Sequence, residues 1–351
     1  MSSDYATWPA GLGYRMPAEW ETHAATWLSW PHNAQTWPGV LGAVEAAMVS
    51  VVEALSEREA VRINVLDASH ERHVARLLRG RAPPGALTFH RFPTNDAWCR
   101  DHGAIFLTRE GSDAPCLALS FEYNAWGEKY PPYDLDRLIA RRMASALSVP
   151  RFDPGMVLEG GSVDGNGAGV MMTTEQCLLN ANRNPDLDRA DIESALRHAF
   201  GAEQIIWLCG AIEGDDTDGH VDQLARFVAA DRVAVATARE PDDPNHKPLR
   251  EIRDRLRDAM LADGRRLDIT ELPMPDPVLH RGRRLPASYA NFYVANEIVL
   301  APAFGCRQDA VAGEILADCF TGREVVAVDC RAMLVGLGAL HCLTQQVPFF
   351  G

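Results

Sequence analysis

The chain has 351 residues, of which 47% are hydrophobic and 23% charged, the composition of a soluble globular protein with enough apolar material for a sizeable core. Thirty-four basic against forty-eight acidic residues leave a formal charge of −14, which disfavours nucleic acid and anionic membrane as partners and mildly attracts cationic ligands. No apolar run approaches the ~18 residues of a membrane span, and the opening MSSDYATWPAGLGYRM lacks the basic start and apolar stretch of a secretory signal, so the cytoplasm is the expected compartment.

Apolar residues spaced near 3.6 predict a first helix at about 41 to 57, through Leu41, Val44, Met48, Val51, Val52 and Leu55. Further helices are expected near 70, 134, 188, 246 and 309. Between them lie strand-like runs: VRINVL from Val61, ALTFHRF from Ala86, CLALSF from Cys116, GVMMT from Gly169, QIIWLC from Gln204, RVAVATA from Arg232 and VVAVD from Val325. With the first helix set aside as an N-terminal addition, five remain, starting roughly 60 residues apart, which suggests modular repetition rather than a doubly wound sheet. The repeat is one of elements, since the residues themselves do not visibly recur. The polar, Pro-rich stretch from Ala238 to Pro248 reads as a surface loop, no segment is of low complexity, and residues 1–351 are expected to form a single domain. Eight cysteines (Cys99, Cys116, Cys177, Cys209, Cys306, Cys319, Cys330 and Cys342) are scattered without a CxxC pair, which argues against a disulfide framework and against a structural zinc site.

Four islands carry side chains that a fold alone does not demand: NDAWCRDHG at 95–103, LEGGS at 158–162, DDTDGHVD at 215–222 and GLGALHCLTQQ at 336–346. Taken singly, the Asp–Gly clusters are ordinary turn formers and Cys342, between Leu340 and Leu343, is an ordinary core thiol. As a set they suit a cysteine nucleophile. A reactive cysteine needs a base or a cation beside it, and a histidine held by a carboxylate supplies one. His220 and His341 are both candidates for that base, with Glu159 as the group that orients it. Asp101 and Asp222 are then left as paired negative charges, which suit the N–H fork of a planar guanidinium.

These islands stand in a longer series: MPAEWETHAATWLSWP from Met16, NDAWCRD, FEYNAWGEKYPPYD, LEGGSVDGNG, TTEQCLLNANRNP, DDTDGHVDQLARF, ASYANFYVANEIVLAP and HCLTQQVP. In that order they resemble the agmatine deiminase family, related to bacterial peptidylarginine deiminases, over nearly the whole chain. The resemblance implies an α/β fold, a five-bladed α/β propeller (pentein) of ββαβ modules around a central polar channel. It also implies hydrolysis of agmatine to N-carbamoylputrescine and ammonia, with no metal and no cofactor. By the same resemblance Cys342 matches the nucleophile, His220 the acid/base, Asp101 and Asp222 the guanidinium carboxylates, Glu159 the carboxylate holding the histidine, and Trp98 the aromatic wall beside the substrate. His341 falls to a neighbour role, and Asp96 is expected to be structural through local hydrogen bonds. The chain departs from the family's GGGNIHC approach to the nucleophile at Leu337 and Ala339, and its SVDGNG loop is short. Glu122 and Glu128 flank Asn124-Ala125-Trp126 and are compatible with an acidic or neutral channel mouth that favours a primary ammonium.

Other readings keep part of this chemistry. A deiminase of arginine, peptidyl-arginine or an alkylguanidine would need a cation for a substrate carboxylate, and Arg100 and Arg183 are the residues to check. An amidinotransferase would share the covalent step, a metal-dependent amidohydrolase would use His220, Asp222, Asp101 and Glu159 as ligands, and a silent binding module would use none of it. The expected partner is a small cationic guanidine, not nucleic acid or membrane, and a homo-oligomer is left open.

Overall fold

The computed structural model describes residues 5–350. Among these residues the strands form five mixed sheets and a short hairpin of Leu279–His280 with Arg283–Arg284. Four sheets follow one plan: an antiparallel pair, then a helix that crosses back to add a parallel third strand. Ile105–Thr108 and Cys116–Leu119 are joined through helix Ile139–Leu147 to Arg151–Phe152. Val163–Gly165 and Val170–Thr174 continue through Arg189–Phe200 to Gln204–Leu208, and Ala225–Ala229 and Arg232–Thr237 through His246–Asp258 to Asp268–Pro273. Tyr293–Ala295 and Ile298–Ala303 continue through Gln308–Cys319 to Glu324–Asp329.

The remaining sheet draws on both ends of the chain. Thr344–Pro348 is the antiparallel partner of His23–Ser29, and helix Leu41–Ser56 crosses to the parallel strand Ala60–Asn64. Helix Ala68–Leu77 then adds Leu87–His90 as a fourth strand. The helix at 41 is therefore no N-terminal addition. It is the crossover equivalent to the other four, and Ala68–Leu77 is the extra element. Apolar spacing reports which face of a helix is buried and not which strands it joins, so counting helices chose the wrong one.

Local chemistry accounts for these elements. Val44, Met48, Val51, Val52 and Leu55 make one buried face along Leu41–Ser56. Asp188 accepts from the Asp191 N–H and Asp191 reaches back to the Asp188 N–H, a capping box that opens Arg189–Phe200. Central strands such as Val170–Thr174 are buried along their whole length, as strands covered on both faces must be. Helix His246–Asp258 begins within the expected Pro-rich loop, with Pro248 in its first turn, where a missing N–H removes no helical bond. No helix among the described residues is long and apolar enough to cross a membrane, and all eight cysteines are free.

Candidate active site

The five sheets share a detail that assembles the site. Directly before the first antiparallel strand of each lies a short helical turn: Cys99–His102, Gly160–Ser162, Val221–Gln223, Tyr289–Asn291 and Leu340–Leu343. Each turn packs on the next, and Leu340–Leu343 closes the ring against Cys99–His102. The turns or the residues before them hold Asp101, Glu159, His220 and Asp222, Asn291, and Cys342, so positions far apart in sequence meet because the turns do. Their convergence is tight at Gly161. A Cβ there would lie 2.7 Å from His220 Nδ1, 2.9 Å from Asp101 Oδ1 and 3.0 Å from Asp222 Oδ2, so only hydrogen fits between the three.

Cys342 Sγ lies 3.6 Å from Asp222 Oδ2 and accepts a hydrogen bond of 3.2 Å from Asn291 Nδ2. Burial pushes the Cys342 thiol well above its ordinary range, and the charges of Asp222 and Asp101 push it further. His220 stands between two carboxylates, with Nδ1 3.8 Å from Asp101 Oδ1 and Nε2 3.9 Å from Glu159 Oε2. Burial opposes a charge on this ring, but the charge of Asp101 and the nearness of Cys177 and Glu159 outweigh it and hold the pKa well above 6.5. Glu159 is fixed from behind by Arg183 Nε at 2.7 Å, and Arg183 is bound in turn to Asp218 at 2.7 Å and to the Thr217 carbonyl at 2.9 Å. Although burial raises Glu159, His220 and Arg183 hold its carboxyl below the usual range.

The two guanidinium candidates differ. Asp222 Oδ2 accepts from His341 Nδ1 at 2.8 Å, its Oδ1 has no hydrogen-bond partner, and its pKa is lowered by His341 against the effect of burial. Asp101 accepts from the Gly161 N–H at 2.9 Å and from the Trp126 indole at 3.0 Å. Its pKa is raised by burial and by the nearby Asp222 and Glu159 charges, despite His220.

A cavity of about 810 Å³ opens onto this cluster, lined by Cys342, Asp101, Trp98, Trp126, Tyr130 and Leu337 among others. Trp98 stands in its wall, edge-on to Trp126 with ring centres 6.5 Å apart. The acidic lining is Asp96, Asp101, Asp136 and Asp216, with no lysine or arginine among the described lining residues. Glu122 and Glu128 are not part of it. Glu122 pairs with Arg137 at 2.8 Å, and Glu128 accepts from Tyr133 at 3.2 Å, both on the exposed side. Asp96 makes the expected local bond to the Ala97 N–H at 2.8 Å and a bond to Thr36, yet it also faces the cavity. Arg100 is buried against Glu19, Gln346 and the His341 carbonyl, so neither it nor Arg183 is free to meet a substrate carboxylate.

Several partners were not singled out in the sequence. Asn291, inside ASYANFY, bonds the thiol and, through Oδ1, the His341 N–H at 3.1 Å. His341 does more than neighbour the nucleophile, because it ties Asp222 to the buried Glu19, whose Oε2 lies 2.9 Å from its Nε2. The signal for Asn291 was positional: it ends a turn just before a strand, as Asp101 and Cys342 nearly do. As for a metal, the group of described donors within 4.8 Å of one another is Glu159, Cys177 and His220, not the aspartates. Arg183 already neutralises this group through Glu159 Oε1, while His220 and Cys177 face Oε2.

The chain matches the Porphyromonas-type peptidyl-arginine deiminase model over residues 15–348. A Legionella pneumophila (strain Paris) protein named "Putative agmatine deiminase" is 35% identical over 344 residues, 97% of each chain. Two solved structures are also similar. The C. jejuni agmatine deiminase with substrate bound, a Cys-to-Ser variant, is 32% identical with a TM-score of 0.87 over 96% of both chains. The agmatine deiminase of Enterococcus faecalis catalysing its reaction is 29% identical with a TM-score of 0.90 over 98% of both. A set of reactive side chains gathered on five equivalent turns and a family match over residues 15–348 agree, and the chain belongs to the Porphyromonas-type peptidyl-arginine deiminase family of enzymes.

Proposed function

We propose that this chain is an agmatine deiminase, converting agmatine and water to N-carbamoylputrescine and ammonia in one catalytic domain without a cofactor. The observation that carries the reading is a cavity that joins a thiol to buried carboxylates and has no lysine or arginine among its described lining residues to meet a substrate carboxylate. The ring of five turns supports reading the five sheets as blades of a five-bladed α/β propeller, with the cavity on its axis.

In this mechanism the guanidinium sits between Asp101 and Asp222. Its positive charge offsets the two carboxylates that hold the Cys342 thiol protonated in the empty site, so the thiol ionises as substrate enters and its proton leaves to bulk water, His220 being already protonated. The thiolate adds to the guanidinium carbon, forming a C–S bond and a tetrahedral adduct. His220, cationic at rest, gives a proton to the departing nitrogen, and ammonia leaves a thiouronium on Cys342. Neutral His220 then takes a proton from water, which adds to the same carbon; the C–S bond breaks and the ureido product leaves. Glu159 and Arg183 keep the imidazole in place through both steps.

The test is an end-point assay of ureido product with agmatine, arginine and a peptidyl-arginine, each with and without EDTA. An arginine carboxylate would have to be buried without a partner, which costs several kcal/mol. Agmatine should therefore exceed arginine at least about a hundredfold in kcat/KM, equivalent to ~2.7 kcal/mol, with no response to EDTA. Comparable rates for the two guanidines would refute the substrate assignment, and loss of activity with EDTA would refute the cysteine mechanism.

A further inference from the structure

Four consecutive residues, Ala125, Trp126, Gly127 and Glu128, have φ of 51, 58, 84 and 63°. They make one turn of left-handed helix, and three of them carry a Cβ that disfavours this hand. The surroundings over-determine the turn. Asn124 Oδ1 accepts from the Gly127 N–H at 2.9 Å, the Lys129 N–H bonds the Ala125 carbonyl at 3.2 Å, and Asn124 Nδ2 donates to the Asn182 carbonyl at 2.9 Å. At Gly127 a Cβ would stand 2.4 Å from Asn182 Cγ, so the turn tolerates no other residue there without moving Asn182. A local conformation this unfavourable, held from several sides, calls for a reason in what it delivers.

What it delivers is Trp126. The indole N–H donates to Asp101 Oδ2 at 3.0 Å while the Gly161 N–H holds Oδ1 at 2.9 Å, so each oxygen of this carboxylate is fixed by one donor. The ring lines the cavity and packs edge-on against Trp98 and against Tyr130, 5.7 Å away. With both oxygens held, the plane of the carboxylate is set before a ligand arrives, and the remaining lone pairs are left for one planar partner.

We infer that Trp126 is a positioning residue for the guanidinium end of the substrate, acting through Asp101, and that the left-handed turn exists to place its N–H. This rests on the deiminase reading above. Trp126→Phe keeps an aromatic ring in the wall and removes the donor. The test is ligand affinity in a Cys342→Ser background, by NMR titration, for agmatine and for methylguanidine, which shares the guanidinium and lacks the aminobutyl chain. Trp126→Phe should weaken both about tenfold, the effect of one hydrogen bond to a charged group. A loss confined to agmatine would show Trp126 to be only a wall for the alkyl chain, and unchanged affinity for both would show the hydrogen bond to be idle; either overturns the inference. Glu128→Gly relieves one left-handed residue outside the cavity and should raise the Tm. It also gives a stabilised background in which to repeat the titration if Trp126→Phe melts early. Failure of the native enzyme to form ureido product from agmatine would instead sink the functional reading, and that result is distinct from these.

Discussion

Asp222→Asn separates two effects of one carboxylate that have opposite signs. Asp222 Oδ2 is 3.6 Å from Cys342 Sγ, both are buried, and its charge helps to keep the thiol protonated. At an effective dielectric constant near 20, one charge at that distance acts on a thiolate with about 4–5 kcal/mol. If a third of that survives relaxation and the neighbouring charges, removing it should speed reaction of Cys342 with neutral iodoacetamide about tenfold at pH 7. The same carboxylate is proposed to hold the guanidinium, and each charge-assisted contact is worth roughly 1.5–3 kcal/mol. With two contacts to lose, kcat/KM for agmatine should fall at least about a hundredfold. Asparagine still accepts the His341 hydrogen bond, so folding should be kept. The assay is peptide mass mapping of timed alkylation, with the other seven cysteines as internal controls, beside steady-state turnover. Alkylation and turnover falling together would mean that Asp222 is structural, and the account of a thiol held protonated by its carboxylates would fail.

Cys342→Ser should lose turnover while still binding agmatine, since the hydroxyl is a far weaker nucleophile at neutral pH; measurable turnover removes Cys342 from its role. Arg183→Met strands Glu159 in a fully buried site, which costs about 3–5 kcal/mol, so the Tm should fall by several degrees; an unchanged Tm would show that Glu159 needs no counter-charge. His220 has its pKa raised on folding, so its contribution to stability is complete below the unfolded value of ~6.5 and is lost as pH rises through the folded one. The Tm deficit of His220→Gln should therefore be largest near pH 6 and shrink toward alkaline pH, and a deficit that grows with pH would reverse the assigned charge state.

Much of this was legible in the sequence, for reasons that differ by element. The seven strand runs named there all lie on strands: four are central strands, written as continuous apolar residues, and Leu87–His90, Gln204–Leu208 and Glu324–Asp329 are edge strands whose apolar and β-branched residues still stand out. The first antiparallel strands, such as Val163–Gly165 and Tyr293–Ala295, are only three residues long and show no pattern of their own. Cys342, His220, Asp101, Asp222 and Glu159 were visible because reactive residue types clustered beside glycines. Asn291 was not, since an asparagine between aromatics looks like any loop residue until the turn that carries it is seen to be the fourth of five. Glu19 was further still from notice. Its role depends on Arg100, Arg226 and His341 reaching it across the ring, and no local pattern encodes that. The acidic mouth was misassigned to Glu122 and Glu128 because nearness in sequence to Trp126 does not fix the side on which a side chain emerges, least of all around a left-handed turn.

The charges below the cavity set Asp101 apart from the carboxylates around it. Glu19 is paired with Arg226 at 2.9 Å and Arg100 at 3.2 Å, Asp164 with Arg226 at 2.8 Å, and Glu159 with Arg183 at 2.7 Å. Asp222 has the imidazole of His341. Asp101 is the exception: its hydrogen bonds are two neutral N–H groups, and the nearest cation to it, His220, is 3.8 Å away. A buried carboxylate without a close cation is the costly member of such a network, and its raised pKa records that cost. It is also a carboxylate that lines the cavity, while Glu19, Asp164 and Glu159 do not. Glu19, Asp164 and Glu159 are each completed by an arginine of the chain, and in the proposed mechanism the guanidinium of the substrate does the same for Asp101. In the proposed mechanism the same two aspartates that meet the guanidinium tie its binding to the ionisation of Cys342.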